Sequence, residues 1–179
     1  MNTNFKLWRA VGLALALCLT NTQAKSNVEL LGDIVQIALP SYALGRLIYE
    51  EDIPSQVEFM KSLGTTILTT QVLKRATHIQ RPDGSDFRSF PSGHTSAAFA
   101  GATFLHKKYN NTYQNILAYC AASYVGYSRL YANKHHLGDV VVGAILAYSV
   151  NAYFVSSKYV TAQMHLDDKQ QLVSVRFWR

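Results

Sequence analysis

The sequence predicts an all-α protein, a helical bundle of about five to six helices. Three observations lead there. Apolar stretches of helical length recur from residue 28 onward, separated by short clusters of turn residues. One stretch, Thr95-Ser96-Ala97-Ala98-Phe99-Ala100-Gly101-Ala102, is built from small residues, as a closely packed helix needs. The alternation expected of a strand shows only weakly, at the C-terminal tail. A chain of 179 residues is ordinarily one domain, long enough to bury a proper core.

Taken in order, Lys6 and Arg9 precede the apolar run Ala10 to Leu19, and Thr22-Gln23-Ala24 offers a small-residue cleavage site. Residues 1–24 therefore read as a bacterial signal peptide. An uncleaved anchor is the alternative, although the run falls short of the ~20 residues needed to cross a bilayer. Leu17 before Cys18 argues against lipoprotein processing, and removal of the segment leaves Cys120 as the remaining cysteine, which rules out an intrachain disulfide or a cysteine-based metal site. The remainder, 25–179, reads as one helical domain with a short C-terminal extension. Its predicted helices are Val28 to Arg46, with a kink at Pro40, Gln56 to Gln80, Thr95 to Lys107, Tyr113 to Tyr131 and Leu137 to Ser157. Turns fall at Glu50 to Pro54, Asp83-Gly84, Asn110-Asn111 and Ala132-Asn133. The tail Gln170 to Arg179 reads as a short strand or an amphipathic extension.

Three blocks carry the chemistry. Lys74 and Arg81 lie seven positions apart, about 10 Å along a helix, and project from one face; Pro82 places Arg81 at a helix end facing a loop. With Arg129 they supply the preorganised cations that a phosphoryl group in transfer requires, since its transition state spreads charge over three oxygens. An isolated pair of this kind would be only a solvated basic helix end. The second block, Pro91-Ser92-Gly93-His94, opens a helix whose free amides and dipole favour an anion, while Gly93 lets the backbone approach it. Alone, Ser92 would be equally at home as an N-cap. In the third block His135 and Asp139 share a helical face, so the carboxylate can orient the imidazole and leave its other nitrogen free to attack phosphorus. His136, three residues from Asp139, competes for that carboxylate, and spacing alone does not separate the two histidines.

These blocks, KRATHIQRP, PSGH and SRLYANKHHLGD, match at every defined position the tripartite pattern of the type 2 phosphatidic acid phosphatase superfamily. The chain resembles that family, which includes lipid phosphatases, bacterial acid phosphatases and vanadium haloperoxidases, over Lys74 to Asp139. The resemblance implies a phosphatidic acid phosphatase/haloperoxidase-like bundle. It makes His135 the nucleophile that forms a phosphohistidine, Asp139 its orienting partner, and His94 the general acid and later the base. It makes Lys74, Arg81, Ser92, Gly93 and Arg129 the phosphate ligands and implies neither a catalytic metal nor a cofactor. One departure is the short connection, eight residues from Asp83 to Phe90, whose Asp83, Asp86 and Arg88 leave the lid chemistry unsettled.

A formal charge of +6, from 17 basic and 11 acidic side chains, is modest and scattered. Nucleic-acid binding would want a basic stripe with interleaved aromatics, and none is present; an anionic substrate or membrane surface fits better. The stretches Tyr113 to Tyr131 and Val140 to Val155 are apolar and nearly long enough to span a membrane, though buried bundle helices would look similar. Lys107-Lys108 falls at the end of the bundle opposite the motifs, as expected of a membrane protein whose chemistry occurs outside the cytoplasm. The tyrosines 119, 124, 127, 131, 148 and 153 read as core or interfacial residues, His106 and His165 as surface ones, and His78, one turn from Lys74, as a surface residue or one that faces the site. The expected protein is a phosphomonoesterase of the bacterial cell envelope, membrane-associated, with a periplasm-facing site. Its expected substrate is an isoprenyl, glycerolipid or lipid A phosphate. A soluble periplasmic acid phosphatase of broad specificity is the alternative, ahead of a vanadate-dependent haloperoxidase and a non-catalytic phosphate-binding protein.

Overall fold

A computed structural model of the chain describes residues 27–157, together with the backbone of 161–167 and 170–176. The expected signal segment, 1–24, lies outside the described residues. Among the described residues five helices follow one another: α1 (Asn27–Tyr49), α2 (Ile53–Thr77), α3 (Gly93–Lys108), α4 (Thr112–Tyr131) and α5 (Leu137–Phe154). The C-terminal part then forms an antiparallel hairpin, β1 (Thr161–Asp167) with β2 (Gln170–Arg176), paired from Thr161 opposite Arg176 to Asp167 opposite Gln170. The all-α bundle is as expected, and of the two readings of the tail the strand is the one observed.

Three of the helices begin where the sequence supplies a side-chain cap. Asp52 accepts hydrogen bonds from the Ser55 backbone N–H (3.1 Å) and hydroxyl (2.8 Å), and Pro54 occupies the first turn of α2, where a missing N–H costs nothing. Ser92 and Asn111 cap α3 and α4 through the N–H groups of Thr95 and Gln114. Pro40 lies inside α1 rather than ending it. Helix α2 stops at Thr77, three residues short of the expected Gln80, because His78 turns into the left-handed region (φ 47°, ψ 37°). Arg81 consequently stands outside the helix, and the expected shared helical face of Lys74 and Arg81 does not exist.

The small-residue helix α3 is the central element and packs against the other four. Its Ala98, Ala102, Phe104 and Leu105 form the core with Ala43 and Leu47 of α1, Phe59 of α2, and Ala118, Ala122 and Val125 of α4. The Phe59 and Phe104 rings meet at 4.6 Å between centroids. A buried polar network links three helices: Asn151 of α5 donates to the Ala100 carbonyl (2.9 Å) and bonds Thr103, while Ser62 of α2 donates to its side-chain oxygen. The two lysines closing α3 serve the packing. Lys108 is buried against Glu58 (2.6 Å), and Lys107 donates to the carbonyls of Asn151 and Ala152 at the end of α5.

Candidate active site

The three blocks converge at the end of the bundle opposite these lysines, around a pocket of about 410 Å³. Its wall includes Lys74 from α2, Arg81, Asp86 and Arg88 from the connection, Gly93 and His94 from the start of α3, and His135 from the loop before α5.

Lys74 is buried, and its Nζ donates to the carbonyls of Arg88 (2.7 Å) and Ser89 (3.4 Å), which pins the connection over the lysine. Arg81 is fixed by a turn: its N–H donates to the Asp86 carbonyl (2.9 Å) and its Nε to Asp86 Oδ1 (2.7 Å). Burial raises the Asp86 carboxyl, but the hydrogen bonds from Arg81 and the Arg88 N–H, with the charges of Arg81 and Lys74, together hold it below its usual range. Asp83 pairs with Lys134 Nζ (2.6 Å), a contact that holds its carboxyl far below the ordinary value and ties the connection to the loop bearing His135. The eight-residue connection is thus an ordered turn with three anchors, and it brings Arg88, a cation outside the motif, to the pocket wall.

At the head of α3, a Cβ built on Gly93 would lie 3.6 Å from Thr70 Cγ2 and 3.8 Å from Lys74 Cε. Leaving out that atom opens space beside the lysine next to a helix N-terminus, where an anion is favoured. Ser92 is fully buried, and its Oγ accepts from the Thr95 backbone N–H (3.4 Å) and hydroxyl (2.9 Å), so it caps the helix behind the pocket. Helix α5 presses on this cap at Gly143, where a Cβ would come within 2.8 Å of the Ser92 carbonyl oxygen. Beside it the Ser92 N–H donates to the Asp139 carbonyl (2.9 Å), joining the second block to the third.

The Asp139 carboxylate accepts from the His136 backbone N–H (2.8 Å) and from the Ser89 hydroxyl. Its Oδ2 stands 3.5 Å from His135 Nδ1 and 3.4 Å from His136 Nδ1. Burial separates the two histidines where spacing could not: the His135 side chain is 1% exposed and on the pocket wall, whereas that of His136 is 52% exposed. His135 Nδ1 has no hydrogen-bond partner among the described residues, and Asp139 is the carboxylate it faces. Burial first, and then the charges of Lys74 and Arg81, push the His135 imidazole down to about 4, against the opposing pull of Asp139.

His94 lies on the pocket wall with its Nε2 3.1 Å from Asp33 Oδ1, a carboxylate of α1. Arg129 is turned toward α1: its Nη1 meets the same Asp33 oxygen (2.8 Å), its Nη2 donates to the Glu29 carbonyl (2.8 Å) and its Nε to Ser128 Oγ (3.0 Å). Of the residues expected to bind phosphate, Lys74, Arg81 and Gly93 face the pocket, while Ser92 and Arg129 lie behind its wall. Asp33, Ser89 and Arg88 were not among the expected site residues. The Arg88 charge could have been found, since it sits between two blocks; Asp33 has no local signal.

A five-helix bundle that gathers two histidines, a carboxylate and several cations around one pocket is a scaffold for handling phosphate. Residues 7–162 match the PAP2 superfamily, and the chain belongs to it. It is 40% identical over 80 residues to lipid A 1-phosphatase of Porphyromonas gingivalis, a stretch covering 42% of this chain and 18% of that protein. It is 38% identical over 82 residues to a probable diacylglycerol pyrophosphate phosphatase of Schizosaccharomyces pombe, covering 38% of this chain and 29% of that one. The matched stretches thus span less than a third of either relative. Among solved structures, LpxE of Aquifex aeolicus superposes with a TM-score of 0.51 at 24% identity, covering 78% of this chain and 90% of that one, and shares the fold.

Proposed function

We propose that the protein is a lipid phosphatase of the cell envelope, a phosphomonoesterase that works without metal through a phosphohistidine at His135. The observation that carries this reading is the burial of His135 between Asp139 and a pocket holding Lys74, Arg81 and His94. With Nδ1 facing Asp139, Nε2 is the nitrogen available to phosphorus. Its attack forms the N–P bond as the P–O bond to the lipid alkoxide breaks, and His94 gives that oxygen a proton. Water then attacks the phosphohistidine, His94 takes its proton, and inorganic phosphate leaves. Lys74, Arg81 and the Gly93 amide meet the charge on the equatorial oxygens, while Ser92 and Arg129 hold His94 and its helix in place from behind.

The lipid nature of the substrate is supported by the relatives, whose names specify lipid A and diacylglycerol pyrophosphate. It is supported also by the apolar surface: α5 is long and apolar enough to cross a membrane and only 22% buried in the bundle. A periplasm-facing site belongs to the same reading, since envelope lipid phosphates are presented there.

The test is phosphate release in the presence of chelator from lipid A, diacylglycerol and isoprenyl phosphates and from p-nitrophenyl phosphate, comparing the chain with His135→Ala. Release that disappears in the variant, with an acid-labile and base-stable phosphoprotein trapped from the wild type, is the expected result. Equal release by both proteins, or an acid-stable phosphoprotein, overturns the assignment. Preference for the soluble ester over every lipid would favour a broad-specificity acid phosphatase.

A further inference from the structure

One partly buried carboxylate has no place in the three blocks. Asp33 lies on α1, and one of its oxygens, Oδ1, is shared between His94 Nε2 (3.1 Å) and Arg129 Nη1 (2.8 Å). The contact joins three helices whose residues are far apart in sequence, and the backbone is shaped for it. Gly32, the preceding residue, packs on α4 so closely that a Cβ there would fall 2.0 Å from Ser128 Oγ and 2.9 Å from Arg129 Nη2. Only glycine lets α1 descend far enough to deliver Asp33. Arg129 in turn is held from three sides, by Asp33, by the Glu29 carbonyl and by Ser128 Oγ, with the Glu29 carboxylate 3.9 Å away.

Resting on the phosphatase reading above, we infer that Asp33 is a positioning residue for the general acid: it holds His94 by Nε2–H and leaves Nδ1 to exchange the proton with the leaving oxygen. Arg129, itself buried, stands beside the same oxygen and supplies the compensating charge for the partly buried carboxylate, since removing one partner of such a pair leaves the other charge uncompensated. The site then contains two matched carboxylate-imidazole pairs, Asp139 with the nucleophile and Asp33 with the acid. Each fixes one ring nitrogen and directs the other at the substrate, the orienting role a carboxylate plays in a hydrolase triad. On this view Arg129 acts through Asp33.

The experiment exploits the chemistry of the leaving group. Protonation by His94 matters for an alkoxide and hardly at all for p-nitrophenolate, which departs unaided. In the full chain, Asp33→Asn is expected to lower kcat/KM for a lipid alkyl phosphate by about 10²-fold or more, the range of general acid catalysis, and for p-nitrophenyl phosphate by less than about 10-fold. Asp33→Glu should restore part of the alkyl-phosphate activity. Equal losses on both substrates, or none, would reduce Asp33 to a clamp between α1 and α4 and overturn the inference. A second readout does not depend on turnover: 15N shifts of the His94 ring, assigned with His94→Gln, should show a protonated Nε2 in the wild type and a changed ring in Asp33→Asn. Unchanged shifts overturn the inference even in an inactive protein. Failure of the wild type to release phosphate from any substrate, with the shifts behaving as expected, would instead defeat the phosphatase reading.

Discussion

On the mechanism proposed above, His135 illustrates at the residue scale how a site would turn an ordinary side chain into a nucleophile over a wide pH range. Only the neutral imidazole has a lone pair for phosphorus, and burial with Lys74 and Arg81 nearby lowers its titration from 6.5 to about 4. The acid limb of kcat/KM for p-nitrophenyl phosphate, which reports the free enzyme, is therefore expected near pH 4; a midpoint at the ordinary histidine value would mean that the ring is not desolvated. The same shift has a stability consequence of definite sign. Between 6.5 and about 4 the unfolded chain takes up a proton that the folded chain refuses, so this group's contribution is full above 6.5 and declines as the pH falls. Residues of this kind were legible because their partners are local: His135 and Asp139 are four positions apart, and the motif spacing encodes their meeting. Asp33 meets Arg129 across 96 positions, and no spacing rule reaches that far. Ser92 and Arg129 show the converse. Their motif positions are evident in the sequence, but whether a side chain faces the pocket or braces it depends on how α5 packs against Ser92 and α1 against Arg129.

The same division between local signals and packing holds at the scale of elements. The five helices were legible from turn residues and caps, which act within a few positions of the chain. The end of α2 was misplaced because it depends on a single left-handed residue, His78, a conformation for which histidine carries only a weak preference. Strand β1 was missed because its partner, β2, lies in a tail whose alternation is weak, and a hairpin is stabilised by pairing rather than by either segment alone. What the sequence could not rank is which glycines matter, and two of them now separate cleanly. At Gly143 a Cβ would lie 2.8 Å from the Ser92 carbonyl oxygen and 3.0 Å from Ser96 Oγ, so Gly143→Ala must push α5 off the head of α3. A loss of about 1–3 kcal/mol is expected, accompanied by reduced activity because Asp139 and Ser92 lose their register. Gly64, inside α2 with nothing within 4 Å of such a Cβ, should behave oppositely, Gly64→Ala gaining about 0.4–1 kcal/mol from a stiffer unfolded chain. Thermal or denaturant unfolding of both variants checks the pair, and a destabilised Gly64→Ala beside a neutral Gly143→Ala would contradict the observed packing of α5 on α3.

The whole molecule has its small residues inside and many of its large apolar ones outside. The core is dominated by alanines at Ala43, Ala98, Ala102, Ala118 and Ala122, whereas Leu68, Val72, Leu117, Ile145 and Tyr148 are exposed. On α5, Leu137, Val141, Ile145 and Tyr148 recur at intervals of three and four and form one exposed face. Water would penalise such a surface, since a contiguous apolar patch much beyond a few hundred Å² is unusual on a soluble monomer. Lipid removes the penalty, and close packing of small residues is how helices associate within it. Among the described residues α5 is the one helix both long and apolar enough to cross a membrane; α1, α2 and α4, with 23, 25 and 20 residues, match a hydrocarbon core of about 30 Å in length alone. The lysines ending α3 do not fix the orientation, because both are taken up by protein partners at helix ends. We therefore expect the protein to float with phospholipid vesicles and to need detergent for extraction. Ile145→Lys should weaken that partition by about 3 kcal/mol, the cost of a central cation in a bilayer, while leaving hydrolysis of p-nitrophenyl phosphate in detergent unchanged. A chain that stays monomeric without detergent, or a variant that floats as well as the wild type, would mean that the exposed face of α5 is covered by something other than lipid. A lysine at Ser85, in the turn beside the pocket, should alter neither flotation nor extraction, so that added charge by itself is excluded as the cause.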